Sequence, residues 1–236
     1  MYGYGYGYYG FDWTYVLLII GMLLSLAAST RLKSTFSYYR RIRSASGLTG
    51  AETAERILRA AGITDVHVRA ISGSLTDHYD PRTKTVSLSE DIYDKTSLAA
   101  VGVAAHECGH AIQHAIGYAP LEFRSAIVPV ANFGSTLSWP LFLIGLFSGI
   151  RPLVTAGIVL FSLAVLFQLV TLPVEINASS RALKMLQSTG ILGSDEIKGA
   201  RKVLTAAAMT YVAALAASIL QLLRLLILAG GRRRDD

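Results

Sequence analysis

His106, Glu107 and His110 occur in the order His-Glu-x-x-His. Residues four apart share one face of a helix, so the two imidazoles can point at a single Zn2+. Glu107 would then sit beside a metal-bound water and serve as its general base. Zinc lowers the pKa of such a water to about 7, so hydroxide is available at neutral pH. Two histidines merely packed in a helix face would show the same spacing, but the surroundings favour a site. Ser97 can cap a helix over residues 98–115, and Ala104, Ala105 and Gly109 keep its neighbourhood small.

His114 continues the i, i+4 series. It stands eight residues from His106, about 12 Å along a helix, whereas zinc–nitrogen bonds are roughly 2 Å. No glycine in Ala111-Ile112-Gln113 turns the chain back, so His114 is expected to support the site from outside or to pack. Cys108 lies off the ligand face and reads as a small buried hydrophobe. As the single cysteine it excludes an internal disulfide.

A catalytic zinc takes a third protein ligand and keeps one position open. The carboxylates between His114 and Asp195 are Glu122 and Glu175. Glu175 follows Pro173 at the exit of an apolar run, where a next helix can carry it to the motif helix. A solvated helix N-terminus is the ordinary alternative for such a residue.

The elements that must position these groups are mostly apolar. Of 236 residues, 52% are hydrophobic and 16% charged, against about 25% charged in soluble domains. The net charge of +6 sits beside apolar runs, as on the cytoplasmic flanks of membrane proteins, and no nucleic-acid motif accompanies it. Residues 1–10 are a Tyr/Gly leader suited to a tail or a membrane interface. Residues 13–28 are uncharged and are followed by Arg31, Lys33, Arg40, Arg41 and Arg43. A cleaved signal peptide would carry its charge before that run, so an anchor with its N-terminus outside is expected.

Residues 44–97 read as a small soluble α/β piece. Thr49 and Glu52 form a capping box for a helix ending near Gly62. Residues 66–71 alternate as a strand, and Asp80-Pro81 turns a hairpin between residues 75–79 and 85–88. Gly117 and Pro120 end the motif helix. Residues 127–147, with kinks expected at Pro129 and Pro140, and residues 153–172 then make a transmembrane hairpin. Residues 206–228 are long enough to span. They carry Gln221 and Arg224, however, and Arg232, Arg233 and Arg234 would end outside, so a packed or interfacial helix competes.

The expected fold class is a predominantly α membrane protein with three or four transmembrane helices and a small zincin-like α+β cytoplasmic catalytic domain. Its parts are leader and anchor (1–30), catalytic domain (31–125), transmembrane hairpin (126–173), third-ligand helix region (174–204), and C-terminal apolar helix with basic tail (205–236).

His106-Glu107-x-x-His110 together with Glu175-Ile176-Asn177-Ala178-Ser179-Ser180-Arg181-Ala182 resembles the neutral membrane zinc metallopeptidases of the YugP type. His78-Tyr79-Asp80-Pro81-Arg82 and Ala208-Met209-Thr210-Tyr211-Val212-Ala213 also fit, so the likeness covers nearly all of the chain after the leader. A more distant similarity is to HtpX-type membrane proteases, whose third-ligand helix reads Glu-x-x-Ala-Asp. Ser179 stands here at the Asp place and can accept an N–H bond without the charge.

The resemblance implies a gluzincin that hydrolyses peptides, with one Zn2+ per chain on His106, His110 and Glu175, and Glu107 as base. It also implies a strand that pairs with substrate, for which residues 86–88 are the candidate. Tyr211 and His78 are candidates for stabilising the oxyanion, as is packing for both. The implied partners are a protein or peptide substrate and the lipid bilayer of the cell membrane; a homo-oligomer or other membrane subunits are further candidates. A non-catalytic scaffold with a structural metal is the alternative, and it should show four protein ligands. An intramembrane protease of the site-2 kind would need an aspartate from another span, and none lies between Asp94 and Asp195.

Overall fold

The computed structural model describes residues 12–231. The Tyr/Gly leader at residues 1–10 and the basic tail at Arg232, Arg233 and Arg234 lie outside them. The element order is α1 (Tyr15–Tyr39), α2 (Gly50–Ala60), β1 (His67–Ile71), β2 (His78–Asp80), β3 (Thr85–Ser89), α3 (Leu98–Ala115), α4 (Ala119–Ser148), α5 (Arg151–Ser188) and α6 (Ser194–Gly231).

Local signals set most of these boundaries. The Thr49 hydroxyl accepts from the Glu52 N–H and the Glu52 carboxylate accepts from the Thr49 N–H, which closes the capping box of α2. The Ser97 hydroxyl accepts from the Ala100 N–H at the start of α3. Gly117, at φ +63°, ends the chain's run through α3, and Pro120 sits in the first turn of α4.

The three strands form one sheet in the order β1-β3-β2. β2 and β3 are the expected hairpin, with Asp80 opposite Thr85 and His78 opposite Ser87. β1 pairs with β3 in parallel. This placement corrects the expectation that residues 86–88 meet a substrate, because β3 is paired along both edges and buried throughout. Its alternating serines do not mark a wet face. Ser87 receives a hydrogen bond from Arg69, and the Ser89 hydroxyl donates to Asp77. The edge strand of the hairpin is β2.

Four helices, α1, α4, α5 and α6, are long and apolar enough to cross a membrane. α4 and α5 are a hairpin, reversed at Gly149, whose φ is +74°. Pro129 and Pro140 lie inside α4, which stays helical through both. Pro173 likewise does not end α5, so Glu175 is not on a separate helix as expected but on the continuation of the third apolar run. Membrane helices tolerate an internal proline because neighbouring groups re-satisfy the freed backbone.

α1 and α6 pack against each other, with Gly21 beside Ala217. Arg224, the charge that argued against a fourth span, reaches the start of α1. Its Nε lies 3.3 Å from the Thr14 hydroxyl and its guanidinium 4.5 Å from the Tyr15 ring centroid. An arginine that reaches a helix end in this way avoids the cost of burial in lipid. The sheet, α2 and α3 sit where α1 and α5 end and α6 begins, and α3 packs against α2, α5 and α6. Ile57, Leu88, Ile92, Val101, Leu186 and Val203 are among the buried residues of this core.

Candidate metal centre

α3 and α5 touch backbone to backbone at Gly109. A Cβ built there would stand 2.5 Å from the Ala178 carbonyl oxygen. This approach brings a carboxylate 69 positions away in sequence to the motif histidines: Glu175 Oε2 lies 3.2 Å from His106 Nε2 and 3.6 Å from His110 Nε2. Donor atoms of the three residues all fall within 4.8 Å of one another. Glu122 is exposed at the start of α4 and is not part of the group.

The outer nitrogens of both imidazoles are held. Ser179 Oγ lies 3.1 Å from His106 Nδ1, one helical turn beyond Glu175 on α5. Gln113 Oε1 lies 3.0 Å from His110 Nδ1, while Gln113 Nε2 donates to the Val174 carbonyl and to Asn177 Oδ1. With its amide nitrogen so committed, Gln113 presents its oxygen and accepts from His110 Nδ1. Nε2 is then the nitrogen that faces Glu175, and the one that can ligate a metal once its proton has left. Arg181 Nε donates to Asn177 Oδ1 at 2.7 Å and anchors the chain of contacts.

The electrostatics favour a cation at this point. Burial works to lower the His110 pKa, but the Glu175 hydrogen bond and the Glu107 and Glu175 charges outweigh it and hold it above the usual histidine value. Burial pushes the Glu107 carboxyl above the ordinary range, against the pull of His106 and His110. Two buried carboxylates facing two imidazoles form a site of N, N, O donors that suits Zn2+.

Two clefts meet at the cluster, each of about 180 Å³. Asp77, His106, Glu107, Glu175 and Tyr211 line both of them. One cleft runs between α1 and α6 past Phe36, Val203 and Ala207. The other runs under the β2 edge past His78, Tyr79, Pro81 and Arg124. His78 is exposed on that edge, with Nδ1 2.9 Å from the Thr76 carbonyl oxygen. His114 stays outside the cluster, with Nδ1 2.8 Å from Tyr79 Oη. Burial raises the Tyr79 hydroxyl to about 12, so it remains protonated. Cys108 is fully buried against the Ala54 carbonyl, and burial pushes its thiol up, as for an inert core residue.

Gln113, Asn177, Asp77 and Arg124 join the site without a local signal that singles them out; only Gln113, one turn after His110, could have been found from helical spacing. Arg124 Nη2 lies 3.9 Å from Glu175 Oε1, and its buried Nε has no hydrogen-bond partner among the described residues. Asp77 accepts from the Ser89 N–H and hydroxyl, which ties the segment before β2 to the end of β3.

Gly109→Ala should separate α3 from α5, because the obstructing atom is backbone and cannot rotate away. Overpacking of this kind costs about 1–3 kcal/mol, so the variant should melt earlier and release zinc more readily. Gly102→Ala is the control, since its Cβ would meet Ala200 at an ordinary 3.6 Å. Equal thermal stability and zinc retention in the two variants would contradict the close approach.

Four helices long and apolar enough to cross a membrane, together with a largely buried His-His-Glu group that could hold a metal ion, define a membrane protein with a candidate metal site. The chain belongs to the family described as "Putative neutral zinc metallopeptidase", whose model matches residues 14–230. It is 49% identical over 217 residues to "Putative membrane protease YugP" of Bacillus subtilis (strain 168), an alignment covering 92% of this chain and 96% of that relative. No solved structure matches the chain.

Proposed function

We propose that this protein is a zinc-dependent endopeptidase of the gluzincin type that cleaves membrane or membrane-adjacent proteins from the cytoplasmic side of the cell membrane. The observation that carries the reading is the meeting of His106, His110 and Glu175 beside Glu107, with two clefts opening on the same point. These three residues would hold one zinc per chain. The bound ion supplies Lewis acidity, polarising a carbonyl and making water acidic enough to react at neutral pH. Glu107 accepts the proton of the attacking water and returns it to the departing amine. Its raised affinity for a proton suits both steps. Ser179 and Gln113 hold the imidazoles in place.

The β2 edge offers main-chain groups to an extended peptide lying in the cleft beneath it. Tyr211 lines both clefts beside Glu107 and is the candidate donor to the oxyanion. Tyr211→Phe should keep its zinc and lower kcat by about 10²–10³-fold; a kcat equal to that of the parent protein would exclude the role. The basic residues Arg31, Lys33, Arg40, Arg41, Arg43, Arg181 and Lys184 gather at the end of the bundle that carries the sheet, which supports a cytoplasmic site and an outside N-terminus.

The test is cleavage of an unfolded single-span membrane protein by the purified protein in nanodiscs. Cleavage should stop with a chelator and return with zinc. A protein that holds stoichiometric zinc on four protein ligands and cleaves nothing would instead be a scaffold with a structural metal.

A further inference from the structure

We infer that the groove between α1 and α6 binds an anionic phospholipid, with the headgroup held by Arg31, Arg201 and Lys202. The groove has a volume of about 900 Å³ and is distinct from the two clefts at the metal centre. It exists because the seam is lined by alanines too small to fill it, Ala27 and Ala28 on α1 facing Ala213 and Ala216 on α6. Beyond them, Gly21 lets α1 press on Ala217 and pinches the groove shut.

The lining changes character along its length. From Leu24 to Tyr39 it runs sixteen residues of α1, about 23 Å at helical rise. Half of the hydrocarbon core is roughly 15 Å, so the groove covers one leaflet and its headgroup zone. The alanine half suits an acyl chain. The other half carries the three cations together with the hydroxyls of Ser34, Thr35 and Thr205, which are donors for a phosphate.

No Asp or Glu lines the groove. Arg31, Arg201 and Lys202 are exposed and form no ion pair among the described residues. Of the neighbouring basic residues, Arg40 is paired with Asp91 and Lys198 with Asp195. Three unpaired cations around one apolar slot call for an anion with a hydrocarbon body. A second copy of the chain would fill the slot with side chains and leave the charges unanswered.

Native mass spectrometry of the detergent-purified chain, with phosphatidylglycerol or phosphatidylcholine added at equal concentration, tests this. Phosphatidylglycerol should be retained preferentially as one bound lipid. Arg31→Gln/Arg201→Gln/Lys202→Gln should reduce that preference by about 10- to 100-fold. Ala27→Phe, at an exposed wall of the groove, should displace the lipid with all three cations intact. Thermal unfolding confirms that each variant is folded, and Arg31→Gln alone serves if the triple variant is not. Equal retention of both lipids, or full phosphatidylglycerol binding by Ala27→Phe, would overturn the proposal. So would a lipid-free dimer that Ala27→Phe dissociates.

Discussion

Glu107→Gln is expected to bind zinc as the parent protein does and to cleave peptides about 10²–10⁴-fold more slowly. The amide fills nearly the same space as the carboxylate, so the buried helix face and the ligand pair beside it keep their packing. It cannot take up a proton, which is the one thing the proposed reaction asks of this position. The environment supports that assignment: burial raises the Glu107 carboxyl above the ordinary range while His106 and His110 act in the opposite sense. Zinc content by elemental analysis and the initial rate on an unfolded substrate decide the matter together. Zinc retained at an unchanged rate would move the base elsewhere. Zinc lost with activity would make Glu107 a structural residue of the site.

Glu175→Ala should lose the metal itself. Two imidazoles would remain, and a catalytic zinc needs three protein ligands. The loss should extend beyond the ion, because Arg124 Nη2, 3.9 Å from Glu175 Oε1, would lose this anion. The informative comparison is Ser179→Ala, which removes only the contact to His106 Nδ1 and should weaken zinc binding by about 10–100-fold. Titration of the apoprotein with zinc against a competing chelator gives both numbers. A Glu175→Ala protein that still holds one zinc tightly would show that the carboxylate is not a ligand.

The helix starts, the hairpin and the apolar runs were legible in the chain because each depends on neighbours. Thr49 with Glu52, and Ser97 with the turn that follows, satisfy amide groups three residues away. The turn at Asp80-Pro81 needs only the residues it joins. Two features escaped such rules. The serines of β3 alternate as on a half-exposed strand, yet Arg69 and Asp77 reach across the sheet to satisfy them, and the strand is central. Pro173 carries the ordinary signal for a break, yet α5 runs on to Ser188.

The two histidines and the glutamate between them were readable at once, since a spacing of four is a property of any single helix. Arg224 could be read as a charge but not as a satisfied one, because Thr14 and Tyr15 lie some two hundred positions away. The third ligand was legible only as a candidate. The position of Glu175 after the third apolar run and the family motif around it favoured it over Glu122, and the contact of α3 with α5 at Gly109 and Ala178 is what brings it to the histidines. Patterning states which face of a helix is apolar, but not which other helix will lie against it or at what height. Packing supplies that answer, and with it the Gln113, Asn177 and Arg124 contacts that complete the centre.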